Sequence, residues 1–152
     1  MKVYRLSRKQ FADPLSGKGA AIKGGRWNST GVELVYTAAN RSLAMAEVAV
    51  HLTLATLPDD FMMVTIHIPD DMPVKEIPEG NLPSDWKDFP HPASTQRFGD
   101  SFVAENRYCV LKIPSVVTQG DFNILINPNH KDIGKIGVTA MEKFPLDKRL
   151  FK

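Results

Sequence analysis

Apolar and polar positions alternate clearly in four stretches of the chain. Val3 to Leu6, Glu33 to Thr37, Phe61 to Ile68 and Phe122 to Ile126 are rich in β-branched and aromatic residues and read as strands. Tyr108 to Ile113 reads as another, stopped by Pro114, and Ile136 to Phe144 as the last, with an extended, edge-like tail from Pro145 to Lys152. Two stretches carry helical spacing. One starts at a cap supplied by Asn40 or Ser42 and runs to about Leu54, ahead of Pro58. The other spans Ser94 to Glu105, with Phe98, Phe102 and Val103 on the inward side and Gly99 weakening it. Between the elements lie a glycine-rich stretch, Asp13 to Gly25, predicted as a mobile loop, and a proline-rich connection from Pro69 to Pro92. Strands outnumber helices and there is no regular βαβ alternation. The predicted class is α+β with a mixed or antiparallel sheet and few helices, in a single domain over 1–152.

The first helix contains an anomaly. In Leu43-Ala44-Met45-Ala46-Glu47-Val48-Ala49-Val50-His51-Leu52, only Glu47 and His51 interrupt an apolar run. At about 100° per residue, Leu43, Glu47, Val50 and Leu54 share one narrow stripe. An ionised carboxylate in an apolar stripe needs a partner, because without one it costs several kcal/mol or is forced to take up a proton. His51 one turn on, an arginine of the core, or a ligand could each be that partner.

Composition narrows the field without naming a function. The chain is 43% hydrophobic and 24% charged, ordinary for a globular protein, and its net charge of +2 gives no bulk electrostatic reason to expect nucleic-acid binding. Cys109 is the sole cysteine, so no internal disulfide forms, and its place in a strand pattern predicts a buried apolar residue. With no apolar leader and no membrane-length apolar run, the expected location is the cytoplasm. Gly17-Lys18-Gly19 lacks the third glycine of a dinucleotide fingerprint, and Gly19 to Arg26 lacks the Lys-Ser/Thr pair of a phosphate-binding loop. The four histidines have no ligand spacing to one another or to Cys109, so no metal is expected.

One constellation survives. Gly24-Gly25-Arg26-Trp27-Asn28 sets an arginine directly after two residues without side chains, where a backbone can approach a ligand and a guanidinium can grip phosphate oxygens. Tyr36 on the next strand could stack on a flat heterocycle, and Glu47 follows on the helix. Arg26 could serve the ligand, neutralise Glu47, or do both. Ser115, after Pro114, is of a type common in turns and caps.

Gly25-Arg26-Trp27-Asn28, Val35-Tyr36-Thr37-Ala38 and Leu43-Ala44-Met45-Ala46-Glu47 together resemble the RES domain family, named for an arginine, a glutamate and a serine. Val110 to Ser115 and Asn123 to His130 resemble its second signature block. The resemblance makes Arg26, Glu47 and Ser115 the name-giving residues and Tyr36 the active-site tyrosine, and it matches Arg5 to a recurrent arginine. It assigns Glu47, Arg26 and Tyr36 to catalysis, and Arg26, Tyr36, Arg5 and Ser115 to ligand binding, with Ser115 in an orienting role. Trp27, Asn123 and His130 could instead be framework. It implies a fold similar to ADP-ribosyltransferases and a toxin of a bacterial toxin–antitoxin pair. Such a toxin consumes NAD⁺ as substrate, with no prosthetic group, passing ADP-ribose to water or to a protein. Its expected partner is an antitoxin with an Xre-type helix-turn-helix, and a homodimer within that complex is allowed. The competing reading is a non-catalytic binding module acting through protein contacts.

Overall fold

The structure is a computed structural model and describes residues 1–12 and 15–151. Seven strands form one sheet: β1 (Lys2–Arg8), β2 (Val35–Ala38), β3 (Phe61–His67), β4 (Val74–Glu76), β5 (Val110–Pro114), β6 (Phe122–Ile126) and β7 (Gly137–Lys143). Their order is β4-β5-β6-β2-β1-β3-β7, antiparallel throughout except for the parallel β4–β5 pair. Three α-helices, α1 (Lys18–Lys23), α2 (Arg41–Ala49) and α3 (Ala93–Glu105), complete the α+β domain. None of the helices is long and apolar enough to cross a membrane.

Alternation along the strands divides the core between the two faces of the sheet. On β6, Ile124 and Ile126 join Val3, Val35, Val64, Ile66 and Val110 on one face, while Leu125 turns to the other with Leu111 and Ile113. The second face carries two separate clusters. Phe102 of α3 packs with Trp27, Leu34 and Trp86. Leu43 and Ala44 of α2 pack instead with Leu6, Ala38, Phe61 and Met63. The halves of the sheet meet at a weak seam, because β1 and β2 are paired only at Tyr4–Ala38, whereas β1 and β3 pair along their full length. Helix α2 packs over that seam, against both β1 and β2.

Several boundaries differ from the sequence-based expectation, each for a local reason. The stretch predicted as a mobile loop contains α1, whose flanking Gly17 and Gly24 have φ of +69° and +71°. Glycine takes that left-handed conformation without a steric penalty, so these two residues bound a helix rather than mark a loop. Asp13 and Pro14 lie outside the described residues. In the proline-rich connection, Val74–Glu76 makes a short parallel edge strand on β5; three residues are too few to show a period. The C-terminal segment is not an extended edge strand. It folds into a 3-10 turn at Lys148–Leu150, and Phe144 and Leu146 pack against the α2 cluster.

Helix α2 also ends early, at Ala49, where His51 and Leu52 donate their N–H groups to the carbonyls of Val48 and Ala49. Val50 is 59% exposed and Leu54 46% exposed, so the predicted apolar stripe is buried only at its Leu43 end.

Cys109 is buried on the first face, and burial pushes its thiol up to about 11, with Asp132 adding to the shift. The group therefore stays protonated through neutral pH. At pH 8 the native thiol is expected to react with an alkylating reagent about two orders of magnitude more slowly than a free cysteine, and at the ordinary rate once denatured. Equal rates in the native and denatured states would contradict this burial.

Candidate active site

Glu47 sits on α2, and the partner its carboxylate finds is Ser115. The Ser115 hydroxyl donates to Glu47 Oε1 at 3.0 Å, while Ser115 Oγ accepts from the backbone N–H groups of Val117 and Thr118, both at 3.0 Å. Ser115 is itself buried at the end of β5, and its N–H donates to the Asp121 carbonyl. One hydroxyl thus shapes the 115–121 turn and aims a carboxylate. A second clamp holds the other end of α2: Asn40 caps the helix by accepting from the Leu43 N–H and donates its amide to Asp121. Glu47 Oε2 makes no hydrogen bond among the described residues.

Arg26 does not form the direct ion pair with Glu47 that the sequence allowed; among the described residues no contact within ion-pair distance joins them. Its Nη1 donates instead to the carbonyls of Trp86 and Asp88, at 2.8 and 2.9 Å. Partial burial lowers the guanidinium from its ordinary value, and the charge of Glu47 is the chief opposing influence. The two groups therefore influence each other's charge with no ion pair between them among the described residues. The Nε–Nη2 edge, the fork that matches two oxygens of a phosphate or carboxylate, makes no hydrogen bond among the described residues.

Tyr36 leans toward the Arg26 segment from β2. Its hydroxyl donates to Asn28 Oδ1 at 2.5 Å and accepts the Trp27 N–H at 3.1 Å. Burial pushes the phenol well above its ordinary value, so it is a neutral donor at any physiological pH. Gly25 makes room for this arrangement, since a Cβ there would come 2.8 Å from the Tyr36 hydroxyl.

Of the side chains that build this loop, Asn28 lay in a motif the sequence singled out, and Gln96 and Asp100 did not. Asn28 is fully buried, and its amide donates to the carbonyls of Ala20 and Val32. From α3, Gln96 donates to the carbonyls of Gly25 and Asn28, and Asp100 accepts from the N–H and hydroxyl of Ser29. Spacing of four residues along α3 could have marked Gln96 and Asp100 as one polar edge, but nothing in it pointed to Arg26. Asn123 donates weakly to the Thr37 carbonyl, and buried His130 accepts the Asp132 N–H through Nδ1. Neither makes a hydrogen bond to Glu47 or Arg26 among the described residues.

Arg5 is not tied to this group by any hydrogen bond or ion pair among the described residues. On β1 it shares a face with Val3 and with its cross-strand partner Val64, while Tyr4 and Leu6 turn toward the α2 cluster. Burial alone lowers its guanidinium. A hollow of about 360 Å³, lined by Trp86, Lys87, Pro114, Ser115, Val117 and Gln119 among others, reaches the residues that hold Arg26 and Glu47. It stops short of the Arg26, Tyr36 and Glu47 side chains. No cluster of three potential metal ligands occurs among the described residues.

Fold and site together define an α+β domain with one serine-held carboxylate, one half-engaged arginine and one neutral tyrosine beside a seven-stranded mixed sheet. The chain belongs to the RES domain family, whose model matches residues 2–147. It is 38% identical over 148 residues to a protein of Sphingobium sp. strain YBL2 described as "Prs ADP-ribosylating toxin", spanning 96% of this chain and 92% of that one. It is 35% identical over 155 residues to a "Toxin Res" of Photorhabdus laumondii, covering 100% and 98% of the two chains. In fold it is similar to a chain of the crystal structure of the M. tuberculosis MbcT–MbcA toxin–antitoxin complex. The TM-score is 0.77 at 19% identity, over 95% of this chain and 84% of that one.

Proposed function

We propose that this chain is the toxin of a toxin–antitoxin pair and that it cleaves the bond between nicotinamide and ribose in NAD⁺. The observation that carries the reading is the state of Glu47. One oxygen is held by Ser115 and the other makes no hydrogen bond among the described residues, and the Arg26 guanidinium, whose charge it influences, keeps an unengaged fork.

As the C1′–N bond breaks, its electron pair moves to the pyridinium nitrogen and neutralises the leaving nicotinamide. Positive charge builds on the ribose. A carboxylate aimed at that charge binds the transition state more tightly than the substrate, and the neutral leaving group needs no general acid. Water or a protein side chain then bonds to C1′ and gives up its proton. Arg26 grips the pyrophosphate, and the Tyr36 ring lies against the nicotinamide end. Arg5, a half-buried cation without a hydrogen bond or ion pair among the described residues, is assigned to ligand binding on the family pattern alone. Ser115 orients Glu47 and does not attack. The names of the relatives support toxicity and ADP-ribosyl chemistry, and the fold neighbour supports an antitoxin partner. We assign that partner an Xre-type helix-turn-helix, with a toxin homodimer inside the complex.

The deciding experiment incubates purified, antitoxin-free protein with NAD⁺ and follows nicotinamide release. No release would sink the enzymatic reading in favour of a binding module. A transfer assay with labelled NAD⁺ and cell lysate separates hydrolysis from ADP-ribosylation of a target. Replacing Ser115→Ala removes the donor to Glu47 and the acceptor for two N–H groups. It should cost about 1–3 kcal/mol of stability and lower kcat more than it raises KM. A variant with normal kcat would show that Glu47 needs no such support.

A further inference from the structure

The segment that holds Arg26 carries an aromatic side chain that the fold leaves unused. Residues 82–92 are tightly tied. Leu82 and Trp86 are buried, Trp86 and Asp88 donate their N–H groups to the carbonyls of Pro83 and Asp85, and the Asp85 side chain accepts from Ser94 at the start of α3. Phe89 follows Asp88 directly and is 83% exposed. Because the Asp88 carbonyl oxygen lies 2.9 Å from Arg26 Nη1, covalent geometry keeps the Phe89 Cα within about 6 Å of that guanidinium.

A single exposed apolar residue is ordinary on a protein surface. Position distinguishes this one. The loop buries its other aromatic residue, Trp86, and presents Phe89 on backbone locked to the guanidinium that has a free fork. A ligand whose phosphate oxygens occupy that fork carries the group beyond its phosphates into the neighbourhood of Phe89. Glu47 and Tyr36 are taken up with the ribose and nicotinamide at the other end.

We propose that Phe89 is a specificity-determining residue that stacks on the distal base of the dinucleotide, a flat purine-class heterocycle. This rests on the NAD⁺ reading above. Stacking of a base on an aromatic side chain discriminates strongly between ligands that carry the base and ligands that do not. The variants Phe89→Ala and Phe89→Trp alter an exposed side chain and leave the core intact.

Nicotinamide release should be measured from NAD⁺ and from nicotinamide mononucleotide, which has one phosphate and no adenosine. Phe89→Ala should raise KM for NAD⁺ about tenfold with kcat unchanged. It should leave mononucleotide cleavage as in the wild type, and Phe89→Trp should restore KM. An unchanged KM for NAD⁺, or equal losses on both substrates, would overturn the assignment. Calorimetric titration with ADP-ribose and with ribose 5-phosphate separates this failure from failure of the cleavage reading. If the wild type releases no nicotinamide, cleavage is wrong. The base site then stands on a tenfold loss of ADP-ribose affinity in Phe89→Ala with ribose 5-phosphate binding unchanged, and it falls if ADP-ribose binds both proteins equally.

Discussion

Replacing Glu47→Gln is expected to lower the rate of nicotinamide release by about 10²–10³-fold, close to 3–4 kcal/mol of transition-state stabilisation. The substitution keeps the shape of the side chain, and the Ser115 hydroxyl can still donate to an amide oxygen where it now donates to Oε1. Only the charge facing the ribose is lost. The loss should therefore fall on kcat, with KM and melting temperature within experimental error of the wild type. The same protein should be harmless when expressed without its antitoxin. A Glu47→Gln variant that retained more than about a third of wild-type kcat would remove the carboxylate from the mechanism, and with it the chemical basis of the proposal. Loss of activity together with a large fall in melting temperature would instead place Glu47 among structural residues.

That test concerns the residue whose surroundings were hardest to read from the chain alone. Periodicity correctly marked a carboxylate in need of a partner, but it offered His51, a core arginine or a ligand. The hydroxyl it actually meets is 68 positions away. Contacts of that range depend on how α2 comes to lie beside the turn that follows β5, which local spacing does not encode. The elements themselves were more legible. Val3 to Leu6, Phe61 to Ile68 and Phe122 to Ile126 became strands because half or more of each side-chain row is buried, and burial leaves a period in the sequence. Elements that bury little left none: α1 has no buried residue, and β4 is only partly covered. The end of α2 misled for a related reason. Val50 and Leu54 are apolar but exposed, and an exposed apolar residue looks the same in the sequence as a buried one.

Gly99 illustrates the same limit and yields the largest expected structural effect. By intrinsic propensity a glycine inside α3 is a weakness of up to about 1 kcal/mol relative to alanine, so Gly99→Ala should stabilise an isolated helix. In the folded protein a Cβ at this position would come 1.6 Å from the carbonyl oxygen of Trp27 and 2.6 Å from its carbonyl carbon. The obstacle is backbone, with no flexible side chain to yield. Either α3 or the Arg26 segment must move by more than an ångström. Both are packed, α3 through Phe102 and the segment through Trp27 and the Gln96 and Asp100 hydrogen bonds. The gain in helix propensity is far smaller than the cost of forcing such a core apart, about 1–3 kcal/mol or more. Gly99→Ala should therefore lower the melting temperature by roughly 5 °C or more and impair nicotinamide release in the fraction that folds, because displacing Trp27 displaces Arg26 beside it. Gly80→Ala, where a Cβ meets nothing within 4 Å, is the control and should leave both measurements unchanged. If Gly99→Ala melts at or above the wild-type temperature, the close approach of α3 to Trp27 is wrong. The route by which a helix carrying no catalytic group sets the position of Arg26 would then be wrong as well.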